Sequence, residues 1–197
     1  VCDGWSLGVL LKEVAAYYEH GSDAELPALP VQYADYAAWQ REWLQGPVLE
    51  QQLSYWRERL QGAPAALELA TDYPRPALHR YRGATLGYQL DAALSTEMQA
   101  LSRREGVTLL MLLLGSLQLL LSRYTSSQDI SVGLPIAGRN RVESEGLVGL
   151  FLNTLVLRTE WTGNPTFREL LARVREVALG AYAHQELPFE KLVEELQ

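Results

Sequence analysis

The sequence predicts a layered α/β fold. Of its 197 residues, 48% are hydrophobic and 21% are charged, which is typical of a compact chain that can bury a sizeable core. Apolar residues recur at helical spacing in several segments, whereas residues 129–134 alternate like a strand and residues 151–161 form a mostly apolar strand. The predicted order is helices, a linker, then strand, helix, helix, strand, strand and helix, which indicates helices layered against a sheet.

The first 62 residues are predicted to be helical. The first helix follows Asp3-Gly4-Trp5-Ser6 and ends near Gly21, and either Asp3 or Ser6 could cap it by accepting a hydrogen bond from a free backbone amide. Two further amphipathic helices are predicted over 33–44 and 47–62. We expect these helices to form one layer.

A linker is predicted over 71–83, because this proline- and arginine-containing segment lacks periodicity. It would separate the end of a first lobe over 1–70 from a second lobe over 84–197, incomplete at its C-terminus. The elements predicted for the second lobe are a strand over 85–90, a helix over 96–104 with the capping box Thr96-x-x-Gln99, a helix over 108–124, strands over 129–134 and 151–161, a helix over 166–182, and a last helix with Pro188 in its first turn.

Charge and composition exclude several classes of function. The net charge is −7 without a basic cluster, so nucleic acid is not an expected partner. The single Cys2 allows no internal disulfide and no Cys-rich metal site, which fits a reducing cytoplasm. The most apolar stretch, 109–121, is short and interrupted, so it is expected to be a core helix and not a membrane span. We therefore expect a cytoplasmic protein without a bound metal.

Four ordered segments resemble the motifs of one family. Val1-Cys2-Asp3-Gly4 resembles the tail of His-His-x-x-x-Asp-Gly. Tyr33-Ala34-Asp35-Tyr36-Ala37-Ala38-Trp39 resembles Tyr-x-Asp-Phe-x-x-Trp, with Tyr36 for phenylalanine. Gly149-Leu150-Phe151-Leu152-Asn153-Thr154, continued to Arg158, resembles Gly-x-Phe-x-Asn-Thr, and His184-Gln185-Glu186-Leu187-Pro188-Phe189-Glu190 resembles His-Gln-Asp-x-Pro-Phe-Glu, with Glu186 for aspartate. Over essentially its whole length the chain thus resembles nonribosomal peptide synthetase condensation domains.

This resemblance implies a two-lobed chloramphenicol acetyltransferase-like fold, with part of the first lobe and most of the second present and an active-site tunnel between them. It implies amide bond formation, in which an acceptor amine attacks a donor thioester. Phosphopantetheine would tether the substrates to donor and acceptor peptidyl carrier proteins near an adenylation domain, and no cofactor would bind directly. The two catalytic histidines would lie immediately upstream of Val1, so we expect this chain to be inactive alone.

Asp3 and Gly4 are the candidate catalytic residues that the resemblance places within the chain. Asp3 would organise the histidine loop through an ion pair, and Arg139 is the expected partner because a bidentate guanidinium fixes a carboxylate geometrically. Arg141 is the alternative partner. Asp3 could instead serve only as a helix cap, with Arg139 solvated.

Gly4 has a specific expected role, and two further residues are expected to support the site. Gly4 would let a tethered substrate pass close to the backbone and allow a tight turn. Ser6 could bond to substrate or cap the helix. Asn153, a polar residue within an apolar strand, is expected to brace the active-site loop. No catalytic role is expected for the three histidines or for four aromatic residues that are more often part of a core: His20, His79, His184, Trp5, Tyr33, Trp39 and Phe189.

Two other classes of function remain open. One is another acyltransferase-superfamily enzyme, such as an O-acyltransferase or an epimerisation domain, although epimerisation domains usually replace the glycine of Asp3-Gly4. Cyclisation domains replace the histidines by aspartates, at positions upstream of Val1. The second class is a non-catalytic condensation-like module that recruits a carrier protein or a tailoring enzyme.

Overall fold

A computed structural model describes residues 1–73 and 83–196. Within these ranges the chain forms eight α-helices, one 3-10 turn and two strands. The elements are α1 (Gly4–His20), the 3-10 turn (Gly21–Asp23), α2 (Tyr33–Trp43), α3 (Gly46–Leu60), α4 (Ala92–Glu105), α5 (Leu109–Thr125), β1 (Asp129–Ile136), α6 (Val142–Glu145), β2 (Asn153–Glu160), α7 (Phe167–Ala183) and α8 (Phe189–Leu196).

The chain divides into two compact units that each combine distant segments. Unit 1 contains residues 1–61, 133–155 and 182–197, and unit 2 contains 62–132 and 156–181. The division passes through both strands of the two-stranded sheet, in which β1 pairs with β2. The predicted lobes over 1–70 and 84–197 follow chain order instead, and they stay a prediction. Asp3 and Arg139, expected in different lobes, both lie in unit 1.

Unit 1 is built around the helices predicted from the first 62 residues. Asp3 caps α1, and α2 begins with a capping box in which the Gln32 N–H donates to Asp35 Oδ2 at 2.8 Å. In α3, Trp56 is buried and its indole N–H donates to the His184 carbonyl at 3.0 Å. This hydrogen bond ties α3 to the segment that precedes α8.

Unit 2 packs α5 closely against α7. A Cβ at Gly115 would lie 3.2 Å from the Leu171 side chain, so the absence of a side chain permits this approach. The fully buried amide of Gln118 donates to the Ile130 and Leu157 carbonyls at 3.3 and 3.0 Å, which links α5 to both strands. The long apolar helix α5 is therefore partly buried, and hydrogen bonds from its buried face hold it to the two strands.

Two predictions for residues 84–104 are wrong. Residues 83–90 carry no strand, because a strand needs a hydrogen-bonded neighbour and none of the described segments pairs with them. Their apolar side chains remain in solvent, with Leu86 93% exposed. The following helix starts earlier than predicted, since Asp91 caps it by accepting from the Leu94 N–H at 2.7 Å. Thr96 lies inside the helix and donates to the Ala92 carbonyl.

Other element boundaries differ less. The second strand begins at Asn153 instead of 151, because the Phe151 N–H donates to Asp3. The short helix α6 was not predicted, and Pro188 immediately precedes α8. Most of the predicted linker, with His79, lies outside the described residues. No single described helix is long and apolar enough to cross a membrane, and α4 and α5 reach that length only as a pair bent by 100°.

Candidate functional site

The side chain of Asp3 lies at the entrance to α1 and is almost fully buried. Its Oδ1 accepts from the Ser6 backbone N–H at 2.8 Å and from the Ser6 hydroxyl at 2.7 Å. Its Oδ2 accepts from the Phe151 N–H at 3.1 Å. Because Asp3 caps the helix and also bonds to a distant segment, the carboxylate joins the start of α1 to residues 149–151.

Arg139 supplies the opposite charge. Its Nη2 lies 3.0 Å from Asp3 Oδ1 and 3.3 Å from Oδ2, and it also donates to the Ser6 hydroxyl oxygen at 2.9 Å. The two charged side chains are only 1% and 4% exposed. The contact differs from the expected two-nitrogen fork, since Nη1 donates to the carbonyls of Ser144 and Leu147 instead. We call Asp3, Ser6 and Arg139, with the backbone of Gly149 and Phe151, the Asp3 network.

The charge of Asp3 is stabilised by its hydrogen bonds. Burial alone would raise the pKa of this carboxyl group, but the bonds from Ser6, Phe151 and Arg139 outweigh burial and lower the pKa from 3.8 to about 2. Asp3 is therefore ionised throughout the physiological pH range. A carboxylate with so low a pKa is suited to holding a structure in place and poorly suited to transferring protons near pH 7.

Two glycines allow the backbone to approach the network closely. Gly138 has φ +64°, a left-handed conformation that favours glycine, and a Cβ there would overlap the Phe151 carbonyl. A Cβ at Gly149 would overlap the ring of Tyr33. Tyr33 also donates from its hydroxyl to the Leu150 carbonyl at 2.9 Å. The segment 149–151 is thus clamped between α2 and the loop that carries Arg139.

Aromatic rings flank the two arginines of the 138–141 loop. The Arg139 guanidinium lies 4.1 Å from the centroid of the Phe151 ring and 5.9 Å from that of Trp5. Arg141, the alternative partner of Asp3, instead lies 4.1 Å from the centroid of the Trp39 ring. The structure therefore assigns the two arginines to different partners.

Asn153 holds the segment before α8. Its Nδ2 donates to the carbonyls of Gln185 and Leu187, both at 2.9 Å, and its Oδ1 accepts from the Phe189 N–H at 2.9 Å. The side chain, expected to be a buried polar group, is half-buried. It fixes residues 185–189 as expected of a bracing residue, while the link from that segment to catalysis stays a prediction.

The remaining motif residues lie in other surroundings. Arg158 forms a two-nitrogen ion pair with Asp129 in unit 2, at 2.9 and 2.8 Å, and the hydrogen bonds with Asp129 raise the pKa of Arg158. The His184 ring stacks on Tyr55 with centroids 3.9 Å apart. Thr154 donates its N–H to Asn153 Oδ1 at 2.8 Å. Further motif residues lie at the start of α2, before α8 and in its first turn: Asp35, Gln185, Pro188 and Glu190.

Three expectations about the site need correction. Gly4 is the first residue of α1 and lacks a positive φ, so a tight turn does not require glycine there. Ser6 is fully buried within the network, which leaves its hydroxyl no access to a substrate. Trp5 and Tyr33 are 50% and 37% exposed and are therefore not core residues. The sequence analysis also did not predict that the Ser144 and Leu147 carbonyls accept hydrogen bonds from Arg139. Every residue has a backbone carbonyl, so the sequence does not show which ones will bind a side chain.

No three His, Cys, Asp or Glu side chains of residues 1–73 and 83–196 are grouped so that they could bind a metal ion. The Asp3 network, by contrast, joins distant segments of the chain through hydrogen bonds and one ion pair. That network fixes the backbone immediately before α1, where the Asp3 N–H also donates to the Gly149 carbonyl at 3.2 Å.

Known synthetases contain closely similar sequences. The chain is 57% identical over 198 residues to a linear gramicidin synthase protein of Brevibacillus parabrevis, covering 99% of this chain and 4% of that protein. It is 47% identical over 204 residues to a dimodular nonribosomal peptide synthase of Bacillus subtilis (strain 168), covering 100% of this chain and 9% of that protein. The chain thus spans less than a tenth of these relatives.

Solved structures confirm the predicted chloramphenicol acetyltransferase-like α/β fold. The X-domain from teicoplanin biosynthesis superposes with a TM-score of 0.92 at 30% identity, over 99% of this chain and 45% of that one. The condensation domain of the monacolin K polyketide synthase MokA superposes with a TM-score of 0.78 at 26% identity, over 100% of this chain and 46% of that one. A family model for the condensation domain matches residues 1–197. The chain belongs to the condensation domain family.

Proposed function

We propose that this chain is part of a condensation domain that joins two carrier-bound substrates by an amide bond in nonribosomal peptide synthesis. The observation that carries this proposal is the buried ion pair between Asp3 and Arg139, at 3.0 Å, at the tail of the His-His-x-x-x-Asp-Gly motif. Family membership and the similarity to peptide synthases support the same class of reaction.

The role of the Asp3 network in this reaction is positioning. The amine of an acceptor aminoacyl thioester attacks the donor carbonyl, a new C–N bond forms, and the donor thiol leaves. The attack needs an uncharged amine held close to the carbonyl, which a fixed imidazole assists as a base or by orienting the amine. We assign that imidazole to the motif histidines upstream of Val1, and the Asp3 network would hold their attachment point.

Phosphopantetheine enters as the tether of each substrate on its carrier protein and supplies the reactive thioester. The surroundings of Gly4 fit a thin chain passing the backbone, because a Cβ at Gly4 would meet no described atom within 4 Å. Donor and acceptor carrier proteins and a neighbouring adenylation domain are the partners we propose.

The proposal is tested with the synthetase that contains this chain, supplied with one carrier protein loaded as donor and one as acceptor. Mass spectrometry of the released product should detect the amide. Asp3→Asn should lower the rate by about 100-fold, because a displacement of about 1 Å in a positioned group has an effect of this size. The matched control is Asp91→Asn, which also replaces a helix-capping aspartate but touches no arginine in the described structure.

The isolated chain should form no product, since the proposed imidazole lies upstream. Product formation by the isolated chain would contradict that assignment. A synthetase that loads both carriers but makes no amide would contradict the proposed reaction itself.

A second candidate function is partner recruitment without catalysis. The specific observation is the TM-score of 0.92 to the teicoplanin X-domain, which has also been crystallised in complex with OxyB. If this chain belongs to a recruiting module, the synthetase assay should give no amide and a second protein should bind to the module stoichiometrically. The amide assay therefore separates the two candidates.

A further inference from the structure

A cavity of about 750 Å³ lies beside the start of α1, within unit 1. It is lined by residues of α1 at helical spacing, by the loop after the 3-10 turn, and by Glu145 and Gly146. Its size falls within the roughly 300–1,000 Å³ that is usual for small-molecule sites. The residues on which the following argument depends are Gly4, Trp5, Gly8, Val9, Leu26 and Leu29.

Gly8 is a residue in the interior of α1 whose lack of a side chain is not explained by packing. It lies inside α1, where glycine destabilises a helix relative to alanine. Its φ is not positive, and a Cβ there would meet no described atom within 4 Å. Neither backbone conformation nor a close neighbour among the described residues therefore requires glycine. Its effect is to leave the cavity open at the middle of the α1 wall.

The cavity adjoins the Asp3 network. Gly4, which lines it, directly follows Asp3, and Trp5, which also lines it, lies over the Arg139 guanidinium with 5.9 Å to the ring centroid. The indole N–H of Trp5 donates to the Glu145 carbonyl at 2.9 Å, which fixes the ring in this place. A group that enters the cavity would therefore lie against the same residues that join the network to α1.

The surface of the cavity is mainly carbon. Val9, Leu26 and Leu29 contribute aliphatic side chains, and Trp5 contributes a half-exposed ring. Such a lining favours an apolar group, because moving apolar surface out of water is the main source of affinity. The charged residues that line it are Lys12 and Glu13 on α1 and Glu145, so the lining carries charges of both signs.

We propose that this cavity binds the apolar side chain of one of the two thioester-bound substrates and that Gly8 sets the largest size admitted. The inference rests on the proposed function, since it takes the substrate to be an aminoacyl or peptidyl thioester that reacts beside the Asp3 network. The occupant is a leucine-like or larger side chain, which would contact Val9, Leu26 and Leu29 and use the space left beside Gly8.

The test replaces Gly8 in the synthetase that contains this chain. Gly8→Leu should obstruct the part of the cavity beside Gly8, Gly8→Ala should narrow it slightly, and Ala100→Leu adds the same side chain at an exposed position of α4 as the control. Both Gly8 variants should melt no lower than the wild type, because alanine and leucine favour helix. Each variant is assayed with leucyl and alanyl donors against one acceptor, and with leucyl and alanyl acceptors against one donor.

At one of the two substrate positions, Gly8→Leu should reduce kcat/KM for the leucyl substrate by about ten-fold or more relative to the alanyl substrate. The position at which this happens identifies the donor or the acceptor as the source of the side chain. Ala100→Leu should leave the ratio unchanged. An unaltered ratio at both positions, or an equal loss with every substrate, would overturn the inference, the latter because the substitution would then not discriminate between side chains of different size.

A binding measurement separates this inference from the proposed reaction. The complete condensation domain that contains this chain is titrated with the N-acetylcysteamine thioesters of leucine and alanine while the NMR signal of the Trp5 indole N–H is followed. The leucyl compound should shift this signal in the wild type and not in Gly8→Leu. A shift with no amide formed by the synthetase would leave the cavity assignment standing and overturn the reaction, whereas no shift would overturn the cavity assignment.

Discussion

Replacing Asp3 by asparagine removes the charge of the carboxylate while keeping its shape and its ability to cap α1, because asparagine and aspartate are about equally good caps. The variant therefore isolates the ion pair with Arg139. The lowering of the Asp3 pKa from 3.8 to about 2 corresponds to about 2 kcal/mol in favour of the charged form. Leaving the almost fully buried Arg139 unpaired raises the expected loss towards 3–5 kcal/mol, roughly the cost of breaking a buried pair.

The free energy of unfolding is measured in urea for the wild type, Asp3→Asn and Asp91→Asn. Asp91 caps α4 at an exposed position and has no arginine among its described contacts, so its replacement should change stability by less than about 0.5 kcal/mol. Equal losses in the two variants would refute the reasoning, because capping alone would then account for the role of Asp3.

The pH dependence of stability gives an independent readout of the same charge. Since the folded-state pKa of Asp3 lies below the unfolded value, its contribution is complete above pH 3.8 and is lost as the pH falls through about 2. Between about pH 5 and pH 2 the wild type should therefore lose about 2 kcal/mol more than Asp3→Asn. Parallel pH profiles would show that the carboxylate is not held in its charged form.

Two more substitutions test the remaining contacts. Asn153→Ala should destabilise the chain by about 1–3 kcal/mol and accelerate amide exchange at the start of α8, because the hydrogen bonds to residues 185–189 are lost. Asn140→Ala removes one exposed hydrogen bond and should have little effect. Similar exchange rates in the two variants would contradict a bracing role for Asn153. Arg158→Lys should lower the melting temperature more than Arg57→Lys. Of these two arginines, only Arg158 holds one carboxylate partner, Asp129, with two nitrogens at a largely buried site. Equal shifts in melting temperature would argue against a special role of this two-nitrogen pair.

The candidate site shows where sequence reasoning was effective. The motif tail at Asp3-Gly4 and the loop at Arg139 directed attention to the two residues that the structure joins across 136 positions of sequence. The expectation of a two-nitrogen fork was wrong in detail, since one nitrogen serves both carboxylate oxygens. The other nitrogen donates to the carbonyls of Ser144, within α6, and of Leu147, in the turn after α6.

The strand predicted over 85–90 failed for a different reason. Leu86, Tyr88 and Leu90 alternate as a strand requires, but alternation describes only which face could be buried. A strand exists when a neighbour supplies hydrogen bonds, and that neighbour is not a property of the local sequence. The helices were predicted better because their hydrogen bonds close within the same segment.

The sequence by itself determined the helices of α1 to α3, α5 and α7, the family and the identity of the charged pair, since these follow from local periodicity and from residues that chemistry needs at fixed spacing. The tertiary structure alone decided which side chains share a compact unit, how Arg139 divides its nitrogens, and that a cavity opens beside Gly8. These features arise from packing between segments that are separate in the sequence, and no local pattern encodes the distance between two such segments.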